Sequence, residues 1–258
     1  MRWIGQYRVV EELGRGGGGV VYRAMDNIGR EVAIKELRLS QLAADEILEA
    51  RQRFIREAQA VGKLKHDHIV FLYHFIEEPD ALYLVMELVP GGSLQKSVKA
   101  GRRWTAAEAL AIVRQVAIAL DYAHANGIVH RDVKPGNILV SDDRAGKLPL
   151  VKVTDFGIAR IASQTMTLTG VTMGTPAYMA PEQIRGSKVD ARADQFSLGV
   201  VAFQLLGGRL PFTAPNDQAL MFQIVNAEPA SLREANPALP PEAEKATRKA
   251  LEESRAEV

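Results

Sequence analysis

Alternation of apolar and polar positions dominates the first part of the chain, and helical spacing dominates the rest, so an α+β organisation is expected. Apolar residues from Tyr7 to Leu13 predict a strand, Gly14 to Gly19 a glycine turn, and Val20-Val21-Tyr22 a second strand ending at the turn Asn27-Ile28-Gly29. Glu31 to Lys35 is a third short strand. Gln41 to Lys63, rich in Ala, Glu and Arg with no internal Pro, predicts a long helix. Ile69 to Ile76 and Ala81 to Met86 predict two more strands, joined at Glu78-Pro79-Asp80, which gives five strands and one helix before the pattern breaks at Glu87 to Gly92.

Beyond that break a capping box, Thr105 to Glu108, opens a helix with Leu110, Val113, Ala117 and Leu120 expected on one face and Asn126-Gly127 as its stop. Strand-like pieces are expected at Asn137 to Val140 and Leu150 to Val153. Ile158 to Pro181 is rich in Thr and Gly without a clear period, and a loop of that length is usually functional or mobile. Ala191 to Leu206 predicts a buried helix stopped by Gly207-Gly208, and weaker helices follow near Asn216 to Val225 and Pro241 to Glu253. The expected division is residues 1–88, a connecting 89–92, and 93–258.

Composition narrows the function classes. In 258 residues, 47% hydrophobic, there is apolar material for one or two cores, and a formal charge of +1 argues against bulk attraction to nucleic acid. Zero Cys removes thiolate nucleophiles, disulfides and Cys-ligated zinc, and fits a reducing compartment. The start carries no signal-peptide pattern, and Phe196 to Leu206 is too short to span a bilayer. The last residues, Glu253 to Val258, hold no Gly or Pro stop, which points to a piece of a longer chain.

The chemistry-bearing stretch is His130-Arg131-Asp132-Val133-Lys134-Pro135-Gly136-Asn137, which sets a carboxylate, an ammonium and a carboxamide at fixed offsets. Taken singly, Asp and Asn beside Pro-Gly also suit a plain turn. Gly14, Gly16 and Gly19 fit a GxGxxG pattern, but Val20-Val21-Tyr22 continues as strand where a dinucleotide fold needs a helix. A hairpin whose bare amides close over phosphates is the better reading. Lys35 puts a charge in an apolar strand, and Arg53 and Glu57, four residues apart on the long helix, share a face as an ordinary ion pair would.

With Asp155-Phe156-Gly157 and Ala180-Pro181-Glu182, these motifs follow one another in the order of the protein-kinase signature set, and the chain resembles bacterial eukaryotic-like Ser/Thr protein kinases from Gly14 to about Leu251. The roles that follow are implied by that resemblance. The fold would be bilobal, with a small β-rich N-lobe, a hinge and a larger helical C-lobe. Gly14, Gly16 and Gly19 would cover the phosphates of ATP, with Lys35 on the α/β-phosphates and oriented by Glu57. Asn137 and Asp155 would hold Mg²⁺ (or Mn²⁺), Asp132 would accept the substrate hydroxyl's proton, and Lys134 would stand beside the transferred phosphate. Leu13, Val21, Ala33, Met86 and Leu139 fall where relatives sandwich adenine, and the main chains of Glu87 and Val89 where they bind its edge. Val61, Leu72, His130 and Phe156 take stacked-spine positions above Asp194.

The Lys134 and Ala180-Pro181-Glu182 positions favour Ser/Thr of protein substrates over Tyr or small molecules. Arg53, Arg131 and Arg160 would form a pocket for a phosphate, and Thr167, Thr169 and Thr172 are candidate autophosphorylation sites for it. The rival reading, an ATP-binding pseudokinase, is disfavoured because Lys35, Asp132 and Asp155 are all present. Receptor-type relatives often dimerise and carry a membrane helix after the kinase domain, so a cytoplasmic location is expected for this stretch. Where relatives usually carry Pro and Arg near the end, this chain has Arg255 and Val258, which bears on the pairing of Glu182.

Overall fold

The computed structural model describes residues 1–16, 19–39, 44–141, 148–156 and 176–252. They fall into two compact units, one within residues 1–90 and one formed by 91–156 with 176–252.

The first unit is a six-stranded antiparallel sheet with one helix. Its strands are β1 (Trp3–Ile4), β2 (Tyr7–Gly16), β3 (Gly19–Met25) and β4 (Glu31–Arg38). Helix α1 (Ala44–Val61) follows, then β5 (Leu72–Glu77) and β6 (Ala81–Glu87), in spatial order β1-β2-β3-β4-β6-β5. Side chains alternate across a strand, and the register assigns each face a task. One face carries Val20, Tyr22, Ala24, Val32, Ile34, Tyr83 and Val85, a single apolar cluster closed by Ile4 and Tyr7. The opposite face carries Val21 beside Lys35, Lys35 beside Leu84, and Ala33 beside Met86. α1 packs toward that second face, with Phe54 edge-on to Phe75 at 6.0 Å and Ala50, Ala58 and Val61 completing its buried stripe.

Glu36, next to Lys35 but on the core face, is a buried carboxylate that Tyr22 Oη meets at 2.7 Å and Arg2 at 3.1 Å, while Arg2 also donates to Tyr22 Oη at 2.7 Å. A buried charge needs such partners. The residues before β2 are thus tied to the middle of the sheet.

The second unit begins with β7 (Gly92–Ser93), α2 (Leu94–Lys99) and α3 (Ala106–Ala125). A single 3₁₀ turn at Pro135–Asn137 leads into β8 (Ile138–Ser141) and β9 (Leu150–Val153), and β7-β8-β9 form a small antiparallel sheet. After a 3₁₀ turn at Pro176–Tyr178 come α4 (Pro181–Ile184), α5 (Ala191–Gly207), α6 (Asp217–Asn226), α7 (Leu232–Ala235) and α8 (Pro241–Glu252). α5 is the hub. Apolar almost all round, it buries Phe196, Val200, Val201, Phe203 and Leu205, and Gly199 lets α8 approach until an added Cβ would lie 3.1 Å from the Ala250 Cβ.

Four sequence expectations change here, the first being that the sheet has six strands where five were expected, because the two-residue β1 is too short to show alternation. β2 runs through Gly16 and β3 starts at Gly19, paired residue to residue, so the glycine run is largely ladder. The short α2, α4 and α7 carry too few turns to show a period. The buried stripe of α3 is Ala109, Ile112, Val116, Ala119, Leu120 and Ala123, and Leu110 stands 60% exposed. The expected face chose bulk over position, whereas alanines let α3 pack closely on its neighbours. The box that opens this helix is present, with Glu108 N–H donating to Thr105 Oγ1 at 3.2 Å and Thr105 N–H to the Glu108 carboxylate at 2.8 Å.

Candidate active site

The second unit brings Asp132, Lys134, Asn137 and Asp155 to one place. Lys134 Nζ lies 2.8 Å from Asp132 Oδ2, and Asn137 Nδ2 donates to the Asp132 carbonyl at 2.8 Å and to its Oδ2 at 2.9 Å. Both contacts hold the carboxylate against the loop that carries it. With its NH₂ so committed, Asn137 has Oδ1 as the atom that could meet a cation. The β8–β9 ladder pairs Ile138 with Val153, and Thr154 N–H donates to Asn137 O at 2.9 Å, which brings Asp155 alongside. One carboxylate and one amide oxygen suit Mg²⁺, a hard cation that keeps waters and takes phosphate oxygens for the remainder of its shell.

Arg131 and Asp155 each have φ of +66°, and they are the non-glycine residues with positive φ among those described. That conformation costs about 1–2 kcal/mol and persists only where the surroundings enforce it. The enforcement at Arg131 is visible. Asp194, fully buried at the start of α5, accepts from His130 N at 2.8 Å and Arg131 N at 2.7 Å, and His124 Nε2 at 2.7 Å completes the carboxylate. His130 accepts from Asp132 N at Nδ1 (3.2 Å), so its Nε2 carries the hydrogen that bonds Thr154 O at 2.9 Å. Its ring packs on Phe156 with centroids 4.6 Å apart, the contact expected of two spine positions. Arg131 Nε is buried without an acceptor among the described residues.

The first unit holds the other candidates. Val21, Ala33, Lys35 and Met86 share the sheet face opposite the core, and Gly14 lies beside Val21. Lys35 is 6% exposed, and Glu57 is half-buried on α1, one turn beyond Phe54. Leu13 and Val89 are half-buried, as is Leu139 in the second unit, where it points away from buried Ile138 and Val140. Glu87 N–H donates to Phe71 O at 2.9 Å, which narrows its main-chain contribution to the carbonyl.

The three glycines differ. Gly19 has φ of +114° and an added Cβ would lie 1.9 Å from Glu36 O, so the fold itself requires it. At Gly14 and Gly16 a Cβ would meet nothing within 4 Å among the described residues. Their bareness serves no packing among the described residues, and it permits close approach of a ligand to the backbone.

Arg53 pairs with Glu49, one turn earlier on α1. Gly157, Arg160, Thr167, Thr169, Thr172, Arg255 and Val258 lie outside the described residues. Residue-level reading missed His124, which lies near the end of α3, and Gln183, whose carboxamide joins α4 to the Arg131 carbonyl at 2.8 Å. A Gln three residues after the start of a Pro-led turn was the available signal for the second.

Comparison with known proteins gives the same family from three directions. The protein kinase domain model matches residues 7–255. The serine/threonine-protein kinase Pkn1 of Myxococcus xanthus is 46% identical over 224 residues, 86% of this chain and 31% of that protein. PrkC of Bacillus subtilis is 41% identical over 241 residues, 93% of this chain and 36% of that protein. This chain therefore spans about a third of the length of these bacterial relatives. Among solved structures, Rad53 1–466 in complex with AMP-PNP superposes with a TM-score of 0.78 at 31% identity, covering 95% of this chain and 60% of that one. No helix among the described residues is long and apolar enough to cross a membrane. Carboxylate, amide and lysine on one loop, a buried lysine on the sheet face toward which α1 packs, and a match over nearly the whole length make this chain a member of the protein kinase domain family.

Proposed function

We propose that this chain transfers the γ-phosphoryl group of ATP to Ser and Thr hydroxyls of proteins. The observation that carries the reading is the Asp132 carboxylate, held by Asn137 and Lys134 in a loop whose backbone is fixed by buried Asp194. When bound, ATP with its divalent ion supplies the electrophilic phosphorus and a leaving group whose charge is already neutralised. The protein's share is positioning and electrostatics. Asp132 takes the proton of the attacking hydroxyl, and Lys134, on the same carboxylate, offsets charge developing on the transferred group. Asn137 and Asp155 hold Mg²⁺, with Mn²⁺ as an alternative of similar hardness. Lys35, oriented by Glu57, takes the α/β-phosphates under the amides of Gly14, Gly16 and Gly19. Leu13, Val21, Ala33, Met86 and Leu139 enclose the base, and the main chains of Glu87 and Val89 bind its edge.

The proposal extends to control. Arg131, with a buried guanidinium nitrogen lacking an acceptor among the described residues, joins Arg53 and Arg160 in receiving a phosphate on Thr167, Thr169 or Thr172. A cytoplasmic location and pairing with a second copy are part of the same proposal and rest on the receptor-type resemblance of the sequence. The test is transfer of labelled phosphate from ATP·Mg²⁺ to a generic basic protein. Asp132→Asn is expected to reduce kcat by about 10²–10⁴-fold with the fold intact. Equal transfer by that variant, or label appearing on a small molecule and none on protein, would defeat the reading. Mass spectrometry of active protein checks the three threonines.

A further inference from the structure

Gln183 is the third residue of α4, and its side-chain amide makes two bonds to two separate stretches of the second unit. Oε1 accepts from Ala180 N–H at 2.9 Å, and Nε2 donates to the Arg131 carbonyl at 2.8 Å. The first bond is half of a capping box, since Ala180 has no side-chain oxygen to return it. Capping would need the oxygen alone. The second bond reaches the peptide whose other end is Asp132 N–H, and because that unit is planar, fixing one end fixes the other. The same peptide follows Arg131 at φ +66°, a conformation that relaxes unless it is held. Asp194 holds the N–H of Arg131, and Gln183 holds its C=O.

We propose that Gln183 is a positioning residue for phosphoryl transfer. Its carboxamide registers the peptide entering Asp132 against the first turn of α4, so the base keeps its place only while Ala180–Ile184 keeps its own. The inference rests on the kinase reading above and adds to it a path by which the segment leading into α4 acts on the base.

Gln183→Glu separates capping from positioning. The carboxylate still accepts from Ala180 N–H, but it turns an acceptor toward the Arg131 carbonyl, so the tie is replaced by repulsion. Gln183→Met, of similar length, removes both bonds. For each, kcat and KM for ATP·Mg²⁺ are measured with histone as acceptor, per folded molecule, alongside the thermal midpoint. The expected result for Gln183→Glu is a kcat lower by about 10- to 100-fold with KM for ATP within about twofold. Gln183→Met should match it and supplies the same readout should the Glu variant fail to fold. Wild-type kcat per folded molecule in either variant overturns the proposal. Absence of transfer by the wild-type protein as well overturns the kinase reading, and the present inference with it.

Discussion

Replacing Asp194 with Asn changes one heavy atom and tests what holds the loop that carries Asp132. The carboxylate is fully buried and accepts three N–H groups, His130 N and His124 Nε2 on Oδ2 and Arg131 N on Oδ1, all within 2.8 Å. Asn offers one oxygen. In its better orientation that oxygen replaces Oδ2 and keeps two donors, while the NH₂ group faces Arg131 N–H with no acceptor between them. One charge-assisted bond is lost at roughly 1.5–3 kcal/mol, and a buried donor left unmet adds about 1–3 kcal/mol. The two surviving bonds also weaken, because a neutral acceptor bonds about half as strongly as an ionised one. A total near ~4 kcal/mol results, comparable to breaking a buried ion pair. Urea unfolding at pH 7 reads this in the right unit. Of the two tryptophans, Trp104 is buried in the second unit and Trp3 is half-exposed in the first, so a Trp3→Phe background isolates the Trp104 signal. A loss under about 1 kcal/mol would refute the account, since no set of three buried donors could tolerate that exchange so cheaply.

Two further outcomes follow from local geometry. Gly208 ends α5 at φ +71°, and an added Cβ would lie 1.9 Å from Arg103 Nη1, so Gly208→Ala should cost about 1–2 kcal/mol in chemical unfolding. Arg103→Ala in that background should recover only the part due to crowding, and full recovery would contradict the backbone argument. The Thr105 N–H and hydroxyl hold the Glu108 carboxylate below the usual glutamate range against the opposing effect of burial, and Arg102 adds to the lowering. Because the folded value is depressed, this stabilisation is fully present above the ordinary glutamate value and is lost as pH falls through the lower, folded one. Glu108→Gln should therefore cost about 0.5 kcal/mol at neutral pH, with the gap closing in acid. A gap independent of pH would count against the assignment.

Much of this was legible in the sequence where the signal is local. Helix-forming composition exposed α1, a capped pattern of apolar positions α3 and a long apolar run stopped by glycines α5, and the Asp132–Asn137 constellation sits within one loop. What stayed hidden depends on distant partners. Leu110 looked like core by its own character and is exposed, since the neighbours of α3 need its alanines. His124 and Gln183 show their use only once α5 and the loop at Arg131 are brought beside them. Gly14, Gly16 and Gly19 read as equivalents in the string, and only the space around each separates the one that folding demands from the two it does not.

Lys35 and Glu36 stand side by side on β4 and point to opposite sides of the sheet. Were β4 to shift by a single residue, an ammonium would arrive where Arg2 and Tyr22 wait for a carboxylate, and cation would meet cation in an apolar interior. Opposite charges on adjacent positions thus act as a key cut for one alignment only. The lysine proposed to serve the nucleotide also penalises a slip by an odd number of residues, so such errors in strand pairing are rejected before a ligand is ever offered.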